Sequence, residues 1–222
     1  MSNAAPAPAA GSIEYFALLY TPRPQRPALA TLIALRAELA AGIDRALDHA
    51  VAHARLEWWR VEAARLARGE PQHPWLRALA RQDEASRALD LSRLIDAGAR
   101  ELATRQLQGR SSNELQAALF HAAAQILGGQ ALSSATQRSL AELARRCDAA
   151  AAPASASEPQ LDLEPALQPR LAPLLVWSAL AARRARRKSP TRSRLAGFAD
   201  NMTAWRAARR AAQGRFRVRD FA

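Results

Sequence analysis

A helix that carries two adjacent tryptophans and then stops abruptly is the feature that most constrains the fold of this chain. The tryptophans, Trp58 and Trp59, lie in a charged segment that reads as helical from residue 49 to residue 68. The stop is Gly69-Glu70-Pro71-Gln72-His73-Pro74, in which a glycine and two prolines prevent the helix from continuing. The pattern predicts two helices joined by a defined turn, with His73 fixing the path between them.

The remainder of the chain also favours helices. Alanine, leucine and arginine dominate and only 9 of the 222 residues are glycine, so helix propensity is high in nearly every window. Apolar residues recur at helical spacing between breaks that contain Pro, Gly or Ser. The predicted helices span residues 13–20, 28–44, 49–68, 75–80, 88–103, 114–128, 134–150, 171–187 and 195–213. We therefore expect an all-α protein.

Length and local composition suggest how the chain is organised. One domain of this size is common for helical folds, and a second full domain is not expected. We expect a disordered leader over residues 1–12, a helical domain over 13–187 and a basic tail over 188–222. A stretch rich in Ala, Pro, Ser and acids, at about 150–165, reads as a linker within the domain.

The net charge of +12 is concentrated near the C-terminus. Residues 183–219 hold twelve arginines and one lysine against a single acid, Asp200. Such a surface can attract phosphates, anionic lipid or nucleic acid, although a solvated basic helix that keeps the protein soluble is the alternative. The candidate contacts for an anionic surface are Arg183, Arg184, Arg186, Arg187 and Lys188.

Cysteine content and hydropathy bear on the compartment. The single cysteine, Cys147, excludes an internal disulfide and is consistent with a reducing compartment. The longest apolar stretch, residues 171–182, is about half of the roughly 20 residues that span a bilayer. We predict no transmembrane helix and no signal peptide, and a cytoplasmic location with peripheral contact at a membrane through the basic tail.

Two blocks of residues point to a family. The segment Arg55-Leu56-Glu57-Trp58-Trp59-Arg60 and the turn at residues 69–74 resemble the tryptophan-arginine helix and the Gly-x-Pro-x-His-Pro turn of the squalene/phytoene synthases. Pro22, Arg26 and the following apolar helix match the family's N-terminal spacing, and weaker similarity extends to about residue 190. The resemblance implies an isoprenoid synthase-like helical bundle, here shortened and followed by an arginine-rich helical tail.

The resemblance fails where the family's chemistry is carried. Members hold Mg²⁺ with two aspartate-rich clusters, because the metal stabilises the departing pyrophosphate. The first cluster corresponds here to Ala40-Ala41-Gly42-Ile43-Asp44, which leaves one relic candidate, Asp44. The helix that would carry the second cluster, residues 134–146, has Glu142 as its only acid. The sequence therefore predicts no catalytic residues and no metal site.

Several single residues remain candidates for binding. Arg26, Arg55 and Arg60 could contact a diphosphate or another anion, since guanidinium suits phosphate, but pairing with Glu57 or Glu62 is the structural alternative. Trp58, Trp59, His73 and Pro74 are interpreted as packing residues that mark the family. His49 and His53 have zinc-binding spacing without a third ligand, and we do not predict a metal there.

Three functions are compatible with these features. The favoured one is a non-catalytic member of the family, a scaffold or assembly factor that binds a protein partner, an isoprenoid or another lipid. The second is a prenyl transferase of isoprenoid biosynthesis, which would require Mg²⁺; the favoured function requires no cofactor. The third is an anionic-surface binder acting through the arginine-rich tail, with nucleic acid not expected as the partner.

Overall fold

In the computed structural model, the described parts of the chain are helical. The structure describes residues 5–44, 49–81, 89–108, 112–128, 132–147, 163–186 and 194–217. In these ranges the helices are α1 Ile13–Leu19, α2 Arg26–Asp44, α3 His49–Ala67, α4 Pro74–Ala80, α5 Ser92–Gln108, α6 Glu114–Gly128, α7 Ser134–Arg146, α8 Ala172–Ala185 and α9 Arg194–Ala212. A short 3₁₀ turn, Arg23–Gln25, precedes α2. No strand occurs in these ranges, so the predicted all-α class is confirmed.

The helix ends follow local side-chain chemistry. At the start of α1, the Ser12 hydroxyl accepts a hydrogen bond from the backbone amide of Tyr15. At the start of α7, the Ser133 hydroxyl accepts one from the backbone amide of Thr136. Helix α5 begins at Ser92, later than the predicted residue 88, because the carboxylate of Asp90 accepts the Ser92 amide. It also continues to Gln108 rather than ending at 103, since residues 104–108 contain neither Gly nor Pro.

The abrupt stop of the tryptophan helix has a specific backbone geometry. Gly69 adopts φ 79°, a left-handed conformation that glycine accepts at little energetic penalty. The Gly69 amide donates a hydrogen bond to the Leu66 carbonyl, and the Glu70 amide donates one to the Arg65 carbonyl. These two bonds form a Schellman motif, which satisfies the last carbonyls of α3 and turns the chain toward α4.

The chain divides into two compact units, and the first contains residues 24–129. Helix α6 packs against α2 and α5, and α3 packs against α5 and α4. Leu119, Phe120, Ala123 and Ala124 of α6 are fully buried. The small alanine faces let neighbouring helices approach α6 closely.

The second unit contains residues 8–23 and the chain from 130 onward. Helix α8 packs against α1, α7 and α9, and every residue from Ala172 to Ala181 is buried. The most apolar stretch of the sequence is thus a core helix. None of the helices in the described ranges is both long and apolar enough to cross a membrane.

Some predicted segments fall outside the described residues. These are residues 1–4 of the leader, almost all of the linker before residue 163, and residues 188–193 at the start of the basic tail. Within the described tail, α9 is a regular helix that packs on α8.

Candidate functional site

The stretch that the resemblance compares with the first metal cluster, residues 40–44, lies at the C-terminal end of α2. Ala40, Ala41 and Gly42 occupy the last turns of that helix and Ile43 is buried. Asp44 is its last residue, and its side chain is outside the described atoms. The only described side chain on this stretch that is larger than a methyl group is therefore the apolar Ile43.

A guanidinium lies against this stretch. Arg55 of α3 donates from Nη2 to Oε1 of Glu38, one turn earlier on α2, at 2.8 Å. A Cβ atom at Gly42 would lie 3.9 Å from Nη1 of the same arginine. The site where the family would place a carboxylate thus faces a positive charge that is already paired with Glu38.

An open cleft of about 410 Å³ adjoins the Arg55–Glu38 pair. It is bounded by α2, α3 and the start of α4, and its lining consists of Glu38, Arg55, Trp58, Trp59, His73 and Trp75. Apolar walls with a few polar groups are typical of ligand-binding clefts. The tryptophan pair and the turn thus belong to one surface feature.

The aromatic rings of the cleft pack edge to face around His73. The centroid of the His73 ring lies 4.8 Å from that of Trp75, 5.0 Å from that of Trp59 and 5.8 Å from that of Trp58. Trp59 is only 5 % exposed, whereas Trp58 is 46 % exposed. Trp59 is thus a packing residue, and Trp58 presents much of its indole to solvent.

The turn itself is held by a carboxylate that the sequence analysis did not single out. Glu62 has a fully buried side chain, and its Oε2 accepts the backbone amides of Gln72 at 3.0 Å and His73 at 2.8 Å. Its Oε1 accepts from Nη1 of Arg65 at 2.6 Å. Burial alone would raise the pKa of the Glu62 carboxyl, but these donors outweigh burial and hold that pKa below its ordinary value.

The surroundings of His73 favour the neutral form of its imidazole. Burial lowers the pKa of the imidazole from its ordinary value, against the attraction of Glu62 and Glu38. Its Nδ1 is buried and has no hydrogen-bond partner among the described residues. An uncharged ring suits a position enclosed by three indoles.

The candidate anion-binding arginines differ in their partners. Arg60 donates from Nη2 to Oδ1 of Asp96 at 3.0 Å and also pairs with Glu57. The hydrogen bond that Arg60 donates to Asp96 is the main reason that the pKa of Arg60 is raised. The expected structural pairing with Glu57 is therefore present, while Glu62 pairs with Arg65 instead. Arg26 is half-buried at the start of α2.

The basic residues near the C-terminus are not all directed outward. Arg183 and Arg184, at the end of α8, both bind the carboxylate of Asp200 on α9, at 3.3 Å and 3.1 Å. Asp200 is buried, and Nη2 of Arg184 also donates to the Gly11 carbonyl at 2.6 Å. Arg186 is exposed, and the predicted contacts Arg187 and Lys188 lie outside the described residues.

Metal-ligating side chains do not cluster in the described ranges. No group of three or more His, Cys, Asp or Glu side chains there could hold a metal ion. Glu142 of α7, the only acid in the helix expected to carry the second cluster, pairs with Arg145 and Arg146. His49 and His53 are exposed on α3.

Comparison with known proteins supports the resemblance drawn from the tryptophan helix and its turn. Residues 8–117 match the family model described as squalene/phytoene synthase. That segment includes α1 to α5 and therefore the cleft and residues 40–44. No curated protein and no solved structure matches the chain. Residues 8–117 therefore form a squalene/phytoene synthase domain.

Proposed function

We propose that this protein is a non-catalytic squalene/phytoene synthase-like protein, a helical scaffold that binds a partner or a lipid instead of transferring prenyl groups. The observation that carries the proposal is the Arg55 guanidinium, which pairs with Glu38 and lies against Gly42 where the metal-binding carboxylates would stand.

The chemical argument rests on charge and on ligand type. Mg²⁺ requires several oxygen ligands in near-octahedral geometry. The methyl groups of Ala40 and Ala41 supply none, and the guanidinium of Arg55 repels a divalent cation at short range. Glu38 contributes a carboxylate, but it is paired with Arg55. A trinuclear or binuclear metal cluster bridging a diphosphate is not supported by this set of side chains.

The decisive experiment is an assay for diphosphate release. Purified full-length protein is incubated with farnesyl or geranylgeranyl diphosphate and Mg²⁺, beside an active prenyl transferase as the positive control. We expect no pyrophosphate above the protein-free background. Release above background would overturn the proposal in favour of a prenyl transferase that uses other metal ligands.

The cleft supports a binding role for the matched domain. Its indole walls and the half-exposed Trp58 offer contact area to an apolar ligand or a partner side chain. A short isoprenoid alcohol such as farnesol is a suitable probe because it lacks the diphosphate. We expect it to change the tryptophan fluorescence of the protein, and we expect Trp58→Ala to reduce that response. An unchanged spectrum at saturating farnesol would remove the isoprenoid from the proposal.

A further inference from the structure

Helix α9 has a narrow face that packs on the protein. Asp200, Ala204, Ala207 and Ala211 are buried, and their spacing of three or four residues places them on one side of the helix. Asp200 binds Arg183 and Arg184 of α8. The small alanines on this face let α9 lie close to α8.

The large apolar side chains of α9 lie on the opposite side. Phe198 is 66 % exposed and Trp205 is 45 % exposed. They are seven residues apart, which is two helical turns, or about 10 Å along the helix axis. Met202, half-buried, lies between them on the same stripe. Exposed aromatic side chains aligned in this way are unusual on a water-exposed protein surface. They indicate that this face of the helix binds a partner or a membrane.

The charge on this side of the helix is positive. Arg206 and Arg209 are exposed, and the guanidinium of Arg209 lies over the Trp205 ring, 5.3 Å from its centroid. The only acid on α9, Asp200, is buried on the packing face and neutralised by two arginines. The outer face therefore combines an aromatic stripe with flanking guanidinium groups and has no acidic side chain.

We propose that this outer face of α9 docks on an anionic lipid bilayer. Phe198 and Trp205 would enter the boundary between headgroups and acyl chains, and Arg206 and Arg209 would contact lipid phosphates. Helices that lie in the plane of a membrane surface have this combination of aromatic and basic side chains. The arginine fork binds phosphate well, and indole is enriched at the headgroup level. The inference does not depend on whether the protein is catalytic.

The proposal assigns the membrane contact to residues other than those suggested by the sequence. Arg183 and Arg184 were candidates for an anionic surface, but their partly exposed guanidinium groups bind the buried Asp200. The contacts now proposed lie one helix later and include two aromatic side chains. A purely electrostatic tail would need only the arginines, so the aromatic residues provide the discriminating test.

The test uses the full chain and sedimentation with vesicles. Vesicles of phosphatidylcholine alone are compared with vesicles containing about 30 % phosphatidylglycerol, at low salt and at 0.5 M salt. We expect binding to the anionic vesicles only, weakened by salt. The double variant Phe198→Ser/Trp205→Ser is expected to lower the partition coefficient about tenfold. The double variant Arg206→Gln/Arg209→Gln is expected to lower it about 25-fold.

Matched control variants separate the docking face from general surface effects. Leu107→Ser removes an apolar side chain that is 85 % exposed on α5, and Arg138→Gln removes an exposed arginine on α7. Both should bind vesicles as the wild type does. Because Phe198 and Trp205 are exposed, their variant should also keep the thermal stability of the wild type.

Two results would overturn the proposal. The first is equal vesicle binding by the wild type and the Phe198→Ser/Trp205→Ser variant. The second is retention of the protein by single-stranded RNA with no binding to anionic vesicles, which would identify the basic face as a nucleic-acid surface.

Discussion

Glu62 in α3 and Asp200 in α9 are both buried carboxylates, but the protein stabilises them with different donors. Glu62 accepts two backbone amides and one arginine, and these amides lie in the turn that leads into α4. Asp200 binds two arginine side chains from a neighbouring helix. Backbone donors hold a fixed chain path, whereas long side chains join two helices and can rearrange. We infer that the turn region is the more rigid of the two.

The largest expected difference concerns the two regions' tryptophans. Trp59 is buried against the turn, so Trp59→Ala should lower the free energy of unfolding by about 4 kcal/mol. Trp205 is 45 % exposed on α9, and Trp205→Ala should change that free energy by less than about 0.5 kcal/mol. Urea denaturation followed by circular dichroism measures both. Equal losses would mean that Trp205 is also a packing residue.

The carboxylate of the turn gives the next largest effect. In Glu62→Gln one buried acceptor is replaced by an amide donor, so the Gln72 and His73 amides and Arg65 lose part of their pairing. We expect a loss of about 3 kcal/mol in the free energy of unfolding. Glu57→Gln, on the same helix with an exposed side chain, is the matched control and should lose less than about 0.5 kcal/mol.

The Glu62→Gln variant should also differ from the wild type in the pH dependence of its stability. The pKa of Glu62 is lowered from 4.5 in the folded protein, so its contribution to stability is present above pH 4.5. That contribution disappears as the pH falls from 4.5 through the lowered pKa. The wild type should therefore lose more stability than Glu62→Gln when the pH is lowered below 4.5. Parallel losses would show that Glu62 is not ionised in the fold.

The carboxylate of α9 should matter less. Asp200→Asn removes the charge that pairs Arg183 and Arg184, but both guanidinium groups are about a third exposed and can turn toward water. We expect a loss of about 1.5 kcal/mol in the free energy of unfolding. Arg186→Gln, an exposed neighbour on the same chain segment, is the control and should have almost no effect. A loss as large as that of Glu62→Gln would contradict the inferred difference in rigidity.

The two regions also differ in how far the sequence predicts them. The stop after the tryptophan helix is local, because Gly69 and Pro74 determine it by their own backbone preferences, and the sequence predicted it correctly. The helices follow from periodicity in the same way, with errors of a few residues at the ends of α5 and α7.

Contacts between distant residues could not be predicted from one sequence. Arg55 forms an ion pair with Glu38, which lies 17 positions away in the sequence, and Arg60 forms one with Asp96, which lies 36 positions away. No spacing rule links such pairs, since they depend on how the helices pack. The basic stretch near the C-terminus illustrates the consequence: its composition indicated an exposed surface, yet Arg183 and Arg184 bind a buried acid.

The smallest expected effect is the contribution of His73 to the pH dependence of the unfolding free energy. Burial lowers the pKa of His73 below 6.5, so the unfolded chain takes up a proton at a higher pH than the folded protein does. The stability that results is present above pH 6.5 and is lost as the pH falls below it. His73→Gln should therefore show a smaller difference in unfolding free energy between pH 8 and pH 5.5 than the wild type.

His121 on α6 has to be separated from His73 in this measurement. Its pKa is also lowered, first by burial and then by Arg93, which lies 3.0 Å from its Nε2. Part of the pH dependence should therefore persist in His73→Gln and disappear in the double variant with His121→Gln. If His73→Gln retained the full pH dependence of the wild type, the imidazole would have to be as accessible to protons in the folded turn as in the unfolded chain. The edge-to-face enclosure by Trp58, Trp59 and Trp75 would then be looser than the ring distances indicate.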